Sequence, residues 1–412
     1  MTINAPRGTR DIIGIDALRM SEFERIAKSI LSRRAFEEIR TPIFEDLSLF
    51  VRSIGEATDI VGKEMYVFED KKGKKLALRP EGTASLVRAY IERRLDISEP
   101  AGKFFYSGEM FRYERPQAGR YRQFHQIGAE LFGNASPAAD AEIIITAADI
   151  LAAVGIKDID IRINSLGCQE CRAKFREALI KYFSDINDLC EDCKIRLEKN
   201  PLRLLDCKID AAKFADVPQM TDFLCVDCKD NFNSVLSLLK AANYNFTIDG
   251  KLVRGLDYYT RTVFELRSSA VGAQDALAAG GRYDNLVKEL GGQQTAAVGF
   301  ALGSQRAMLA AQNTSAFFDK LQRPEKIFIA IADEDLIEQA FAYSIKISKE
   351  GFQNNKNISV YPPFSNKKLT NQLKFADKIN ADKTIIFAKT EYEQGKLLLK
   401  DMQTKTQTEI AL

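Results

Sequence analysis

Arg112, Glu114, Gln126 and Glu130 fall within residues 103–133, KFFYSGEMFRYERPQAGRYRQFHQIGAELFG. The stretch reads as a β-hairpin. One strand runs from about Lys103 to Glu114, a polar turn holds Pro116 and Gly119, and a second strand runs from about Arg122 to Phe132. Side chains alternate along a strand, so Arg122, Phe124, Gln126, Gly128 and Glu130 share one face. Arg112 and Glu114 share a face of the first strand close to the turn. Buried polar groups need partners. Such a face is either a set of solvated cross-strand ion pairs or a floor that holds a polar ligand. His125 points to the opposite face and reads as structural. It is the only histidine in the chain, which excludes histidine metal clusters, Ser-His-Asp triads and Cys-His dyads that do not use it.

Other candidates sit at changes of pattern. Glu81 and Thr83, in RPEGT, lie where a strand gives way to the helix ASLVRAYIERRL. They can point the same way, although Thr83 also suits a plain helix N-cap. Arg254, Asp257, Tyr258, Tyr259 and Arg261 cluster around Gly255, and paired tyrosines combine a ring wall with a hydrogen-bonding tip. A Gly280-Gly281 turn is expected before Arg282 and Tyr283. A strand entering a helix at 297–311 carries Gly299 and Gly303, which would let a ligand approach the backbone, and then Arg306. Neither G-x-G-x-x-G nor G-x-x-x-x-G-K-[ST] occurs, so a nucleotide must be held by side chains and sheet.

The elements that position these groups follow from length and periodicity. A chain of 412 residues exceeds one ordinary core. Its 45% hydrophobic and 28% charged content is that of a globular protein, with no apolar run of membrane-spanning length and no apolar N-terminal signal. A cytoplasmic protein is expected. A net charge of +2 leaves nucleic-acid binding to a local basic patch. Residues 17–35 have helical periodicity, EEIRTPIFED reads as a strand with Pro42 at its start or edge, and 66–79 read as a hairpin turning at Gly73. Helix 137–153 and the strand DIRINS follow. Residues 166–245 hold all the cysteines and read as an inserted domain of short helices. After a linker at 313–324, residues 325–412 alternate strand and helix, including a helix at 366–380, as a small α/β domain. Lys367, Lys368, Lys374 and Lys378 lie largely outside that helix's apolar stripe, on a solvated face that could contact phosphates.

The segments LRPEGTASLVRAY (78–90), FRYERPQAGRYRQFHQIGAELFG (111–133), RGLDYYTRTVFE (254–265) and AVGFALGSQR (297–306) together resemble those of the histidyl-tRNA synthetases, class II aminoacyl-tRNA synthetases. The resemblance runs over essentially the whole chain. It implies an α+β fold: a six- or seven-stranded antiparallel catalytic sheet (1–165 and 246–320), the Cys-rich mainly helical insertion (166–245), and a C-terminal α/β anticodon-binding domain (325–412). It implies a homodimer, with Pro42 in the interface motif, and ligation of L-histidine to tRNA(His) through a histidyl-adenylate. Histidine would be bound by Glu81, Gly82, Thr83, Gln126, Glu130, Tyr258, Tyr259 and Tyr283, with Glu130 and Tyr259 bracketing the imidazole. Arg112 and Arg254 would be catalytic, binding histidine as well, and Arg112, Glu114, Arg120 and Arg306 would bind ATP, the substrate, with Mg2+ bridging its outer phosphates. Gln117 and Arg122 would meet the tRNA. Two positions depart from the family pattern: Gln305 replaces a common glutamate and Ala279 a common glycine. The chain also ends after TEIAL without the usual final helix. The rival reading is a synthetase-like regulatory subunit of ATP phosphoribosyltransferase. Such subunits lack the C-terminal domain and have a degraded RGLDYY region.

Cys168-x2-Cys171-x18-Cys190-x2-Cys193 has zinc-site spacing, and these four cysteines would bind a structural zinc. Cys225-x2-Cys228 offers a third pair, so which four would bind is open, and Cys207 has no obvious partner. The bland alternative is free, partly buried thiols.

Overall fold

The computed structural model describes every residue except positions 1, 56, 57, 59, 100, 118, 208, 273, 274 and 364–366. Two compact units result, Met1–Lys320 and Leu321–Leu412.

The first unit is built on an eight-stranded sheet. Its order is Glu37–Glu38, Lys103–Phe111, Gln123–Phe132, Ala297–Gly303, Ala276–Arg282, Thr260–Arg267, Asp160–Ser165 and Thr247–Ile248. The six inner strands pair antiparallel, and each edge adds a two-residue parallel strand. The hairpin has the expected alternation, with Tyr106 opposite Gly128 and Gly108 opposite Gln126. The helix Pro137–Ala153 starts where Ser136 accepts the Ala138 N–H with proline in its first turn. It is joined to the sheet by a fully buried ion pair between Arg282 and Asp140. Arg282 is therefore a structural bolt.

Three readings change. EEIRTPIFED holds two separate strands, Glu37–Glu38 and Phe44–Asp46, and Pro42 falls between them. The second joins Lys75–Leu78 and Val67–Glu69 in a small sheet of its own. Gly280 and Gly281 lie inside the Ala276–Arg282 strand and make no turn. A Cβ on Gly280 would sit 2.1 Å from the Gly299 carbonyl oxygen, so the pair exists for close strand packing. The segment 251–259 is irregular, and its strand begins only at Thr260.

Within 166–245 the helices Gln169–Ser184, Glu191–Lys199 and Val226–Ala241 surround a separate apolar cluster that includes Phe175, Leu179, Phe183 and Met220.

The second unit has a five-stranded sheet ordered Ile358–Tyr361, Glu325–Ile331, Lys383–Phe387, Lys396–Asp401, Gln407–Ala411. The first three strands run parallel, and TEIAL forms most of the last. Phe328 and Ala330 face one core, Ile329 and Ile331 the other, so both faces of the strand are buried. The helix expected at 366–380 spans Leu369–Lys378, and position 366 lies outside the described residues. Its buried Gln372 exchanges hydrogen bonds with the Ile331 backbone. Among the described residues no helix is long and apolar enough to cross a membrane.

Candidate active site

The polar face of the hairpin opens into a cavity of about 290 Å3. Ten residues singled out from the sequence line it: Glu81, Thr83, Arg112, Glu114, Arg120, Gln126, Arg254, Tyr258, Tyr259 and Arg306. The sheet supplies the floor; Arg112 and Arg120 come from the hairpin turn, Arg254 from the irregular segment before Thr260, and Arg306 from the helix Ser304–Thr314.

The arginines are each oriented by protein partners. Arg112 donates Nε to the Pro80 carbonyl (2.9 Å) and lies 5.5 Å from the Phe124 ring centroid. Glu114 faces Arg120 at 3.0 Å and Arg112 at 3.8 Å. Arg306 donates to the Ala276 carbonyl at 2.7 Å. Burial lowers its pKa, and the charge of Arg120 adds to that shift. Arg254 pairs with Glu265, which Arg267 also holds at 2.7 Å. The Arg254 Nε and the Gln126 Oε1 are buried without a protein partner. In a cavity, such orphaned polar atoms mark where a ligand's own groups belong.

Beneath the floor lies a buried carboxylate. Glu130 is only 1% exposed and does not reach the cavity wall. The hydroxyls of Thr83 and Tyr283 each donate to it at 2.6 Å. Burial pushes its pKa up to about 8, against those two hydrogen bonds and with help from the charge of Glu81. Tyr283 lies beneath the floor as well, with its ring 5.6 Å from that of Tyr258. Glu81, and not Thr83, caps the helix Thr83–Glu92: its carboxylate accepts the N–H groups of Thr83 (2.7 Å) and Ala84 (2.8 Å). Burial raises the Glu81 pKa, and those two N–H groups oppose the rise.

Three glycines make room for side chains, and for Gly299 this replaces the expected approach of a ligand to the backbone. A Cβ on Gly82 would lie 2.3 Å, and one on Gly128 2.2 Å, from the Tyr106 ring, so both make room for that side chain. A Cβ on Gly299 would lie 1.5 Å from Glu130 Oε2. The space is filled by protein, not by a ligand reaching the backbone. Gly299→Ala should therefore force Glu130 off its two hydroxyl partners and destabilise the fold by about 1–3 kcal/mol. A wild-type melting temperature in this variant would contradict that packing.

Tyr106 and Glu265 were missed from the sequence. Tyr106 reads as an ordinary core aromatic, and Glu265 as one charge on a strand edge. The only available signal for Glu265 is a carboxylate within an otherwise apolar run, VFEL. Gln117 and Arg122 stand outside the cavity wall. The backbone of Gln117 bridges to that of Arg120, and Arg122 lies 3.6 Å from the Tyr113 ring centroid and bonds to the N-terminal segment at Gly8. His125 is turned away as expected. Its ring meets Ser304 at 2.8 Å and Ser107 at 3.2 Å, and Gln305 accepts its backbone N–H. Burial lowers its pKa to about 4, with Lys28 and Arg79 adding to the shift, so the ring is neutral at pH 7.

Comparison with known proteins gives one answer. A family model described as histidyl-tRNA synthetase matches residues 8–306. The histidine--tRNA ligase of Endomicrobium trichonymphae is 65% identical over 412 residues, covering 100% of this chain and 99% of the relative. That of Aquifex aeolicus is 47% identical, with coverage of 100% and 99%. The apo structure of S. aureus histidyl-tRNA synthetase superposes with a TM-score of 0.78 at 33% identity, covering 100% of this chain and 97% of that one. Full-length identity at this level, on a sheet that gathers the same motif residues around one cavity, establishes that the chain belongs to the histidyl-tRNA synthetase family.

Proposed function

We propose that the chain ligates L-histidine to tRNA(His) in two steps. A carboxylate oxygen of histidine attacks the α-phosphorus of ATP, and pyrophosphate leaves. A hydroxyl of the tRNA 3′-terminal adenosine then attacks the acyl carbon, and AMP leaves. The observation that carries this reading is that four arginines line the same cavity as Glu81, Thr83, Gln126, Tyr258 and Tyr259.

The first step brings two anions together, so cations must be in place beforehand. Arg112 and Arg254 fit that task, because their guanidinium forks match phosphate and carboxylate oxygens. Arg254 would exchange Glu265 for substrate oxygens. Arg120 and Arg306 would hold the outer phosphates, and Glu114 the adenine side. Glu114 and Glu265 also give the wall hard carboxylate donors suited to Mg2+, which would screen the phosphate charge when bound with the nucleotide. Glu81, Thr83 and Gln126 offer acceptors for the α-ammonium group. Glu130 and Tyr259 would read the imidazole, with Gly82, Tyr258 and Tyr283 shaping the pocket. Entry of the ring would require Glu130 to exchange one hydroxyl partner for a ring N–H.

Gln117 and Arg122 are proposed to meet the tRNA, since they lie at the hairpin turn and outside the cavity wall. Gln117→Ala should leave histidine-dependent ATP–pyrophosphate exchange unchanged and slow tRNA charging several-fold. An equal loss in both assays would contradict the assignment. The second unit is proposed to bind the anticodon stem, with the exposed Lys368, Lys374 and Lys378 available to phosphates. A homodimer is supported by Ile43, Phe44, Val67 and Phe68, which leave 41–51% of their surface exposed on the small three-stranded sheet. A cytoplasmic location goes with this activity. A regulatory subunit would show no exchange, so histidine-dependent exchange is the deciding experiment.

A further inference from the structure

All seven cysteines lie between Cys168 and Cys228, and the structure sorts them in a way that sequence spacing does not. Cys168 and Cys171 meet Cys225 and Cys228. Cys190 and Cys193 meet Cys207 and Asp210. In each group the four ligand atoms lie within 4.8 Å of one another. The set Cys168, Cys171, Cys190 and Cys193 expected from spacing is therefore not a site, because its two halves belong to different groups.

Distances separate metal binding from the other fates of clustered thiols. Cys168 and Cys171 have their sulfurs 3.5 Å apart, and Cys190 and Cys207 have theirs 3.8 Å apart. A disulfide needs about 2.05 Å. Four sulfurs about 2.3 Å from one tetrahedral ion stand about 3.8 Å from each other. The three C-x-x-C pairs also share one local geometry. Cys168, Cys190 and Cys225 are each the N-cap of a helix, and the second cysteine lies in its first turn. Backbone N–H groups already point at the ligand atoms: Cys225 N–H at Cys171 Sγ (3.1 Å), Asp210 N–H at Cys207 Sγ (3.3 Å), and Cys190 N–H at Asp210 Oδ2 (2.9 Å).

Apolar packing alone would explain buried thiols. It does not explain Asp210, a carboxylate only 1% exposed and set among three cysteines. Lys213 Nζ at 3.1 Å from Oδ1 and the Cys190 N–H at 2.9 Å from Oδ2 fix the carboxylate in place, and Oδ2 faces the Cys207 sulfur at 3.9 Å, so an oxygen donor is held among three thiols.

We propose that residues 168–228 bind two zinc ions in nested sites. An outer site of four cysteines ties the start of the insertion to its last helix, and an inner site of three cysteines and Asp210 lies in the loop between. Thiolate-rich tetrahedral donor sets favour zinc over the harder divalent cations. The sites also brace the active site. Arg172, next to Cys171, donates to the Tyr259 carbonyl at 3.1 Å. Arg203, a few residues before Cys207, donates to the Gly255 carbonyl at 2.6 Å. The segment bearing Arg254, Tyr258 and Tyr259 is thus gripped from both zinc-anchored parts.

Metal analysis of the full-length protein, purified without chelator from zinc-supplemented cells, should give two zinc ions per chain. Cys228→Ser and Cys193→Ser should each leave one. Cobalt substitution should show tetrahedral thiolate charge-transfer absorption in the wild type, so the result does not depend on the variants folding. A folded wild-type protein without metal would overturn the proposal. So would a single ion per chain, or a metal content that Cys228→Ser leaves unchanged. Arg172→Ala should keep both ions and raise the KM for histidine in pyrophosphate exchange about threefold or more, with a smaller effect on the KM for ATP. Unchanged constants would overturn the bracing role.

Discussion

Arg254→Ala should lower histidine-dependent ATP–pyrophosphate exchange by about 10³-fold while histidine binding, measured by equilibrium dialysis without ATP, stays near normal. The expectation rests on where the side chain sits. Arg254 lines the cavity, and its buried Nε has no protein partner. Its charge is needed most when the histidine carboxylate and the α-phosphate close on each other, and much less when histidine binds alone. The fold should tolerate the change, because Glu265 keeps Arg267 at 2.7 Å. Arg254→Lys should recover little, since one ammonium cannot bridge two oxygens as a fork does. Full exchange activity in Arg254→Ala would remove this residue from the chemistry. An equal loss of histidine affinity would instead make it a ground-state binding group.

The second large effect is expected at Glu130. Glu130→Gln keeps the shape and can keep hydrogen bonds to Thr83 and Tyr283, but it removes the carboxylate proposed to read the imidazole. Discrimination for histidine, read as kcat/KM, should fall by about 10²–10⁴-fold, the scale seen when a site built for a hydrogen bond loses it. Stability should respond in the opposite direction as pH rises. The wild-type carboxyl has a folded pKa of about 8, above its ordinary value of 4.5, because burial disfavours the charge. Below the ordinary value both states are protonated and no cost arises. Between the two values the unfolded chain releases a proton that the folded chain retains. Wild type then loses about 1.4 kcal/mol of stability per pH unit relative to the glutamine variant. Above the folded value the full cost is in place. Denaturant titrations of both proteins at several pH values would measure the gap. A gap that does not widen with pH would mean that Glu130 is charged in the folded protein.

Most of what was legible in the sequence was local. Period-two alternation placed Gln126 and Glu130 on one face of the second strand and turned His125 away, because strand geometry leaves no other choice, whereas the first strand ends at Phe111 and Arg112 and Glu114 lie beyond it. Helix 137–153 and the strand DIRINS carry their boundaries in their own residues. The less legible features depend on contacts between distant residues. Gly299 reads as a ligand-approach site, yet Glu130 occupies that space from the neighbouring strand. Glu265 becomes part of the site only when Arg254 folds against it. Cysteine spacing grouped Cys168 and Cys171 with Cys190 and Cys193, whereas the structure places them with Cys225 and Cys228, across the whole insertion. Gly280-Gly281 looks like a turn to any local rule, and only the close approach of the Gly299 carbonyl explains it as strand.

The central claim is that this cavity activates histidine with ATP. Exchange of labelled pyrophosphate into ATP by the full-length protein, without tRNA, tests it most directly. The account predicts rapid exchange with L-histidine and none above background with the other standard amino acids. Absence of exchange with histidine, in protein shown to be folded and to bind ATP, would contradict it.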